Sequence, residues 1–306
     1  MAKLADRLIH RIRDEVKDHR RIVVAFSGGV DSSVVAAAAH RLSLMDRETM
    51  AVAITALSPS VAQWQRSLAH RIAEEIGIAH RTIPTEEVGR EEYQRNDSNR
   101  CYFCKDTLYR TLRVILDEEG SHGLIVSGTN ADDLGDHRPG LKAGDQQGIR
   151  TPLADLGITK QQVRALAKHF RLTNWDLPAS PCLASRIAYG VTVTTQRLAA
   201  IESAEELLRQ LGLRDLRVRL HADELARIEV PAESVEAFAR IARQHRLVQR
   251  FRELGFRYTT LDLQGLRSGS LNEAFVSIES MTPIGRATPV GPTQQPGIAA
   301  AERVEA

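Results

Sequence analysis

The sequence predicts an α/β protein: a doubly wound parallel sheet in its larger N-terminal part, followed by a smaller α+β domain. Three observations carry this. Short apolar runs alternate with helical patterns from residue 21 to residue 170. The turn Ser27-Gly28-Gly29 joins the first apolar run to an Ala-rich helical pattern. From about residue 192 the order changes to helix, two short strands, a long helix and a strand. A chain of 306 residues, 42% hydrophobic and 26% charged, has room for about two domains with packed cores.

Each element has its own signal. Residues 1–20 read as an amphipathic helix, with Leu4, Leu8, Ile12 and Val16 at helical spacing. A strand is predicted over 21–26, a helix over 34–44 and a second strand over 50–56. The helix over 62–76 turns Leu68, Ile72 and Ile76 inward and stops at Gly77, the residue type suited to a left-handed C-terminal cap. A third strand is predicted over 78–83, a helix over 105–119 stopped by Gly120, and a fourth strand over 123–127. The helix over 159–170 opens with a capping box, Thr159 with Gln162. A loop rich in proline, 175–182, follows and fixes the backbone before Cys182. Beyond it are a helix over 195–211, strands over 215–221 and 226–230, one long helix over 231–254 and a strand over 257–263. The expected domains are 1–190, which binds nucleotide, and 191–281, which binds substrate. A tail over 282–306, rich in Pro, Gly, Ala, Thr and Gln, is expected to be disordered.

Charge and composition remove several classes. A formal net charge of +2 is too small to argue for a nucleic-acid or membrane partner. No apolar run approaches the roughly 18 residues a membrane helix needs, and the start has no apolar stretch of a secretory signal. The expected location is cytoplasmic. The three cysteines, Cys101, Cys104 and Cys182, are too few and odd in number for a disulfide framework. In a reducing compartment they are better read as ligands or reactive thiols.

The Ser27-Gly28-Gly29 turn carries the first chemistry. Glycines let the backbone turn tightly, and the free N–H groups of the following helix then point at phosphate oxygens. Asp31 would repel phosphate unless a cation lay between them, which assigns it to Mg²⁺. The motif lacks the lysine of the GxxxxGK[ST] loop and is not GxGxxG. Ser27-Gly28-Gly29-Val30-Asp31-Ser32 resembles the SGGxDS signature of the PP-loop ATP pyrophosphatases, whose fold is of the adenine nucleotide alpha hydrolase-like type. Those enzymes split ATP between the α and β phosphates and adenylate a carboxyl or carbonyl oxygen. The loop Gly128-Thr129-Asn130-Ala131-Asp132-Asp133 also follows a strand, and resembles the GTN-x-D element that faces the nucleotide in several such enzymes. Read without the resemblance, it is an Asn/Asp-rich turn. Thr55, late in the second strand, is a candidate for the adenine side.

The CxxC pair Cys101 and Cys104 fits a redox pair, half a zinc site or part of an iron–sulfur site. Its context does not match a small thioredoxin-like βαβ unit, and zinc wants four protein ligands. Three thiolates with an open fourth position suit a 4Fe-4S cluster; three unrelated thiols are the plain alternative. All three cysteines are expected in loops. Arg186, four residues after Cys182, would favour its thiolate. Arg217 and Arg219 lie on one face of a predicted strand; paired guanidinium forks suit phosphate, and a solvated basic edge strand is the plain alternative. Glu202 and Glu205, on one helical face, are candidates to orient those arginines, with plain surface charge as the alternative.

Taken together, the SGGVDS motif, the CxxC, PCLASRI from Pro181, RVRLH from Arg217, ARIEV from Ala226 and YTTLDLQGLRSGSLNEA from Tyr258 resemble the LarE family. The resemblance spans about residues 5 to 275. It implies an ATP-dependent sulfurtransferase of nickel-pincer-nucleotide biosynthesis, which adenylates a pyridinium carboxylate mononucleotide and replaces the activated oxygen by sulfur. One branch sacrifices a single cysteine; another holds an iron–sulfur cluster on three, and Cys101, Cys104 and Cys182 match the latter. The resemblance further implies that Ser27, Gly28, Gly29, Asp31 and Ser32, with Gly128 and Asp132, bind ATP and Mg²⁺. Ser185, Arg186, Glu205, Arg217 and Arg219 would line the substrate-phosphate pocket. The expected partners are the small pyridinium mononucleotide and a sulfide or other sulfur donor, with no nucleic acid and no membrane; a homo-oligomer is expected. The rival readings are a PP-loop tRNA thiolase and an amide-forming PP-loop ligase of the NAD or GMP synthetase kind.

Overall fold

The structure is a computed structural model that describes residues 1–16, 20–118, 123–135, 139–267 and 270–271. Met1–Arg267 form one compact unit. The expected tail, 282–306, lies outside the described residues.

Helix α1 (Ala2–Val16) buries Leu8, Ile12 and Val16, one stripe of its surface. Strand β1 (Arg21–Ala25) runs into α2 (Val30–Met45), then β2 (Met50–Leu57), α3 (Gln63–Ile76) and β3 (Ala79–Pro84). The short α4 (Glu91–Gln94) and the long α5 (Arg100–Glu118) lead to β4 (Gly123–Val126). Then come α6 (Pro139–Gln146), α7 (Pro152–Asp155) and α8 (Lys160–His169). The four strands form one parallel sheet in the order β3-β2-β1-β4. Side chains alternate across it. Ile22 and Val24 pack with α1, α2, α3 and α8 on one face. Val23, Val52 and Ile125 pack with Tyr109, Leu112 and Leu116 of α5 on the other. Helices therefore cover both faces, as the doubly wound prediction requires.

The second half holds α9 (Thr195–Gln210), β5 (Arg217–His221), β6 (Leu225–Glu229), α10 (Val235–Gln244), α11 (Leu247–Glu253) and β7 (Tyr258–Leu261). Strand β6 pairs antiparallel with β5 and parallel with β7. This small sheet has its own core, to which Tyr93, Leu183 and Ala184 of the first half also belong. Among the described residues no helix is long and apolar enough to cross a membrane.

Three elements depart from expectation. Helix α2 begins at Val30, not residue 34, so Asp31, Ser32 and Ser33 occupy its first turn. Helix α5 begins at Arg100, because the Asp97 carboxylate accepts from the Asn99 N–H (2.7 Å) and starts the helix early. The long helix over 231–254 is instead two helices, broken at Arg246, whose φ is 49°. Phe238 and Leu247 are both buried in the same core. Nine residues apart on one straight helix they would point to opposite sides, so the chain must turn between them.

Candidate active site

The loop after β1 is built by short hydroxyl bridges. Gly28 has φ +72°, and a Cβ there would meet the Ala69 Cα at 2.6 Å, so this position needs glycine. The Ser27 and Ser32 hydroxyls lie 3.2 Å apart, and the Ser32 and Ser33 hydroxyls donate to the Gly29 carbonyl (3.0 and 2.8 Å). Buried Asn174 donates to the Gly28 carbonyl (2.8 Å) and to the Ser33 hydroxyl (2.9 Å), bracing the turn from the far side of α8 in sequence. The loop after β4 meets it. Asn130 donates to Asp31 Oδ1 (3.0 Å), and the Asp132 carboxylate accepts from the Lys160 N–H (2.8 Å). The Lys160 ammonium in turn pairs with Asp31 Oδ2. The Thr159–Gln162 capping box that places Lys160 at the start of α8 is present as expected.

These loops open on a cavity of about 620 Å³. Ser27, Gly29 and Asp31 line one part, Asn130, Asp132, Asp133 and Lys160 another, and Trp64, Gln65 and the segment 178–181 a third. Gly28, Ser32 and Gly128 do not line it; they shape the loops that do. Thr55 does not line it either, and its hydroxyl bonds His80 Nε2 at 2.9 Å. Lys160 and Trp64 escaped the sequence reading. Lys160 stands outside any phosphate motif, and its only trace was the capping box beside it.

Cys101 lies in the first turn of α5 and Cys104 at the start of the next, not in a loop. Their i, i+3 spacing sets them on one helical face. Cys182 lies in the loop, just before the short turn Leu183–Arg186. Arg100 draws the two together: buried, it donates to the Ala184 carbonyl at 2.8 Å and to Asn96 Oδ1. Cys104 and Cys182 pack against the same apolar core, and Cys101 is exposed. Burial, then the neighbouring Cys182 thiol and the Glu87 carboxylate, push the Cys104 thiol up to about 12. Burial works to lower the Arg100 guanidinium, but Cys182 and Cys101 outweigh it and raise it. Among the described residues no group of three His, Cys, Asp or Glu side chains is disposed to hold a single metal ion.

The arginines form a network. Arg186 is buried; it donates to Glu205 Oε1 (3.1 Å), to the Pro181 carbonyl (2.7 Å) and to the Ser185 hydroxyl (3.0 Å). It reaches the carbonyl of Cys182 at 3.3 Å. Glu205 also accepts from Arg209 (2.9 Å) and from the Val218 N–H (3.2 Å). Glu202 is elsewhere, accepting from the Gln63 N–H. The expectation that these glutamates orient Arg217 and Arg219 is therefore corrected: Glu205 holds Arg186 and Arg209. Arg219 pairs with fully buried Glu229 (3.1 Å) and donates to the Ser185 carbonyl (2.9 Å). Burial lowers the Arg219 guanidinium, and Arg217 and Arg186 add to this against Glu229, so three cations converge here. Arg217 is half-buried and donates to the Arg267 carbonyl (3.1 Å). Glu229 was missed because a lone carboxylate on a strand carries no signal of its partner.

The chain is similar to known proteins along most of its length. A family model described as asparagine synthase matches residues 3–94, which contain the β1 loop. An uncharacterized protein of Synechocystis sp., slr1717, is 43% identical over 82% of this chain and 92% of its own. The pyridinium-3,5-bisthiocarboxylic acid mononucleotide synthase of Lactiplantibacillus plantarum is 36% identical over 87% of this chain and 94% of its own. An uncharacterized protein of Methanocaldococcus jannaschii, MJ0830, is 27% identical over 86% of this chain. With the PP-loop sheet, its cavity and a synthase relative matched nearly end to end, the chain belongs to the LarE family of PP-loop ATP-dependent sulfurtransferases.

Proposed function

We propose that the chain adenylates a carboxylate of a pyridinium-3,5-biscarboxylic acid mononucleotide and replaces one oxygen by sulfur, which yields the thiocarboxylate precursor of a nickel-pincer nucleotide. The observation that carries this is the placement of Pro181. It lines the cavity that Ser27 and Asp31 line, and the next residue is Cys182. An acyl group activated in the cavity is thus close in the chain to the sulfur-bearing segment.

The residues explain why activation comes first. Oxide is a poor leaving group, so a carboxylate resists attack by sulfur. Transfer of AMP from ATP to the carboxylate releases pyrophosphate and makes AMP the leaving group. The N–H groups at the start of α2 and the Lys160 ammonium would hold the departing pyrophosphate. Hydrosulfide then adds to the acyl carbon, the C–O bond to AMP breaks, and a thiocarboxylate, AMP and a proton result. Asp31 supplies hard carboxylate oxygens at the cavity beside the start of α2, the kind of ligand that Mg²⁺ takes together with phosphate oxygens. Arg186, held in place by Glu205, would line the pocket for the phosphate of the mononucleotide with Ser185, Arg217 and Arg219.

Cys101, Cys104 and Cys182 would hold a 4Fe-4S cluster. What supports the fit is the donor set: Cys182 and Cys101 both lie close enough to Cys104 to help raise its thiol, and the Arg100 cation stands beside them to offset thiolate charge. When bound, such a cluster supplies a renewable sulfur nucleophile. The small-molecule substrate, the sulfur donor, cytoplasmic location and homo-oligomeric assembly belong to this same reading.

The test is release of pyrophosphate from ATP on addition of the pyridinium biscarboxylate mononucleotide, with mass spectrometry of the product under sulfide. Exchange of oxygen for sulfur supports the reading. Pyrophosphate release that depends on tRNA, with a salt-dependent tRNA shift, or on ammonia, overturns it in favour of the thiolase or the ligase.

A further inference from the structure

Trp64 occupies a position that the adenylation chemistry does not itself call for. It stands at the start of α3, half-buried, and among the described residues it is the one aromatic side chain lining the 620 Å³ cavity. It packs against both the core of the nucleotide-binding half and the core of the small sheet. Its neighbours fix it. The Gln65 amide donates to the Ser180 carbonyl at 2.9 Å, tying the start of α3 to the segment 178–181 that also lines the cavity. The Arg209 guanidinium lies over the indole, 5.8 Å from the ring centroid. Arg209 bonds Glu205 (2.9 Å), and Glu205 bonds Arg186 (3.1 Å). The indole is therefore the link between the phosphate-binding loops and the arginine network.

We propose that Trp64 is the platform on which the pyridinium ring of the substrate stacks, and so the residue that selects a cationic aromatic ring. This deepens the functional reading above and rests on it. The chemistry is specific. A pyridinium ring is flat, electron-poor and permanently cationic, and indole is the aromatic side chain whose face attracts cations most strongly. Adenine is flat but neutral, and gains only the stacking part of this attraction. The Arg209 guanidinium on the same indole is paired with Glu205 at 2.9 Å, which offsets its charge where a cationic ring would stack.

The chain has two tryptophans, Trp64 and Trp175. In full-length Trp175→Phe protein the indole signal belongs to Trp64. Titration of that protein with pyridinium-3,5-biscarboxylic acid mononucleotide, without ATP, is expected to quench the fluorescence and to produce a long-wavelength charge-transfer absorption. AMP is expected to produce no such band. In steady-state assays Trp64→Leu is expected to raise the KM for the mononucleotide roughly 3- to 30-fold, with the KM for ATP within about twofold, and Trp64→Phe to lie between. A core role alone would lower the melting temperature of Trp64→Leu and leave the ratio of the two KM values unmoved. That result, or a charge-transfer band absent from protein that still releases pyrophosphate on the mononucleotide, overturns the platform while leaving the functional reading intact. If wild-type protein releases no pyrophosphate with the mononucleotide, the functional reading itself fails and the platform falls with it.

Discussion

Gly128 lies directly against Ser32: a Cβ on Gly128 would stand 2.6 Å from the Ser32 backbone nitrogen and 2.8 Å from the Asp31 carbonyl carbon. Both neighbours are backbone atoms in the first turn of α2, so neither can swing away. The absence of a side chain on the second loop is what lets it approach the first. We expect Gly128→Ala to cost about 1–3 kcal/mol of stability by overpacking, and to lower pyrophosphate release by displacing Asp31 and Asn130 from each other. Gly89→Ala, where an added Cβ meets nothing within 4 Å, is the control. Equal melting temperatures for the two variants would show that the loops are not in contact as described.

Asp31 is held from two sides, by Asn130 and by Lys160. Asp31→Asn removes one charge from the place where phosphate and cation would meet. The expected loss in pyrophosphate release is about a hundredfold or more, the scale of removing one electrostatic stabiliser. Lys160→Met should cost a comparable factor, and the double variant less than the product of the two, because the pair acts as a unit. Unchanged pyrophosphate release in Asp31→Asn would refute the assignment.

These contacts also mark what a sequence can convey. The β1 loop and the parallel sheet were legible because their signals are local: a Gly-Gly turn between an apolar run and a helix. The capping box at Thr159 was legible for the same reason. Lys160, Asn174 and Trp64 were not, since each acts across more than a hundred residues of chain or between two cores. The CxxC pattern suggests loop residues because nothing in it shows that Asp97 braces the turn from which a helix begins at Arg100. The break at Arg246 was hidden too, since the pattern of 231–254 is helical throughout and the need to turn comes from a core the sequence does not display.

Arg217 and Arg219 should separate in assay. Arg219→Ala takes from buried Glu229 the arginine at 3.1 Å and leaves Arg227 at 3.4 Å. A stability loss of about 3 kcal/mol is expected, the low end for a broken buried pair, with partial rescue by adding Glu229→Gln. Arg217 is half-buried and donates to the Arg267 carbonyl. Arg217→Ala should keep the fold and raise the KM for the mononucleotide about 10- to 150-fold, the worth of a charge-assisted phosphate contact, with little change for ATP. A rise in the ATP KM instead would move Arg217 to the ATP side.

Stability should fall with mild acid. Burial lowers the His80 pKa, the His70 ring on α3 lowers it further, and Glu74 on α3 opposes them. His40 and His221 are lowered by burial as well. A histidine whose folded value lies below its unfolded value of about 6.5 gains its proton first in the unfolded chain. Its contribution is therefore complete above about 6.5 and is lost as the pH falls below that towards the folded value. The urea midpoint should be lower at about pH 5.5 than at about pH 7.5, and the difference smaller in His80→Gln. An equal difference in that variant would place the acid sensitivity elsewhere.

The cysteines admit two outcomes that differ in mass and turnover. If Cys101, Cys104 and Cys182 share a cluster, protein prepared without oxygen should carry about four irons per chain, and each single Cys→Ala variant should lose them. Several products per chain should then form when sulfide is supplied. If Cys182 alone is consumed, each chain makes one product and Cys182 is left lighter by H₂S. The structure adds a variant that touches no thiol. Arg100 joins the helix of Cys101 and Cys104 to the turn after Cys182 through the Ala184 carbonyl, and its charge faces the thiols. Arg100→Gln should lower iron content in the cluster case, because three thiols held less closely bind iron less well, while a sacrificial Cys182 would give its single product at an unchanged yield. Dehydroalanine at position 182 in spent protein, with activity surviving in both Cys101→Ala and Arg100→Gln, would sink the shared cluster and leave Cys182 as the sulfur source.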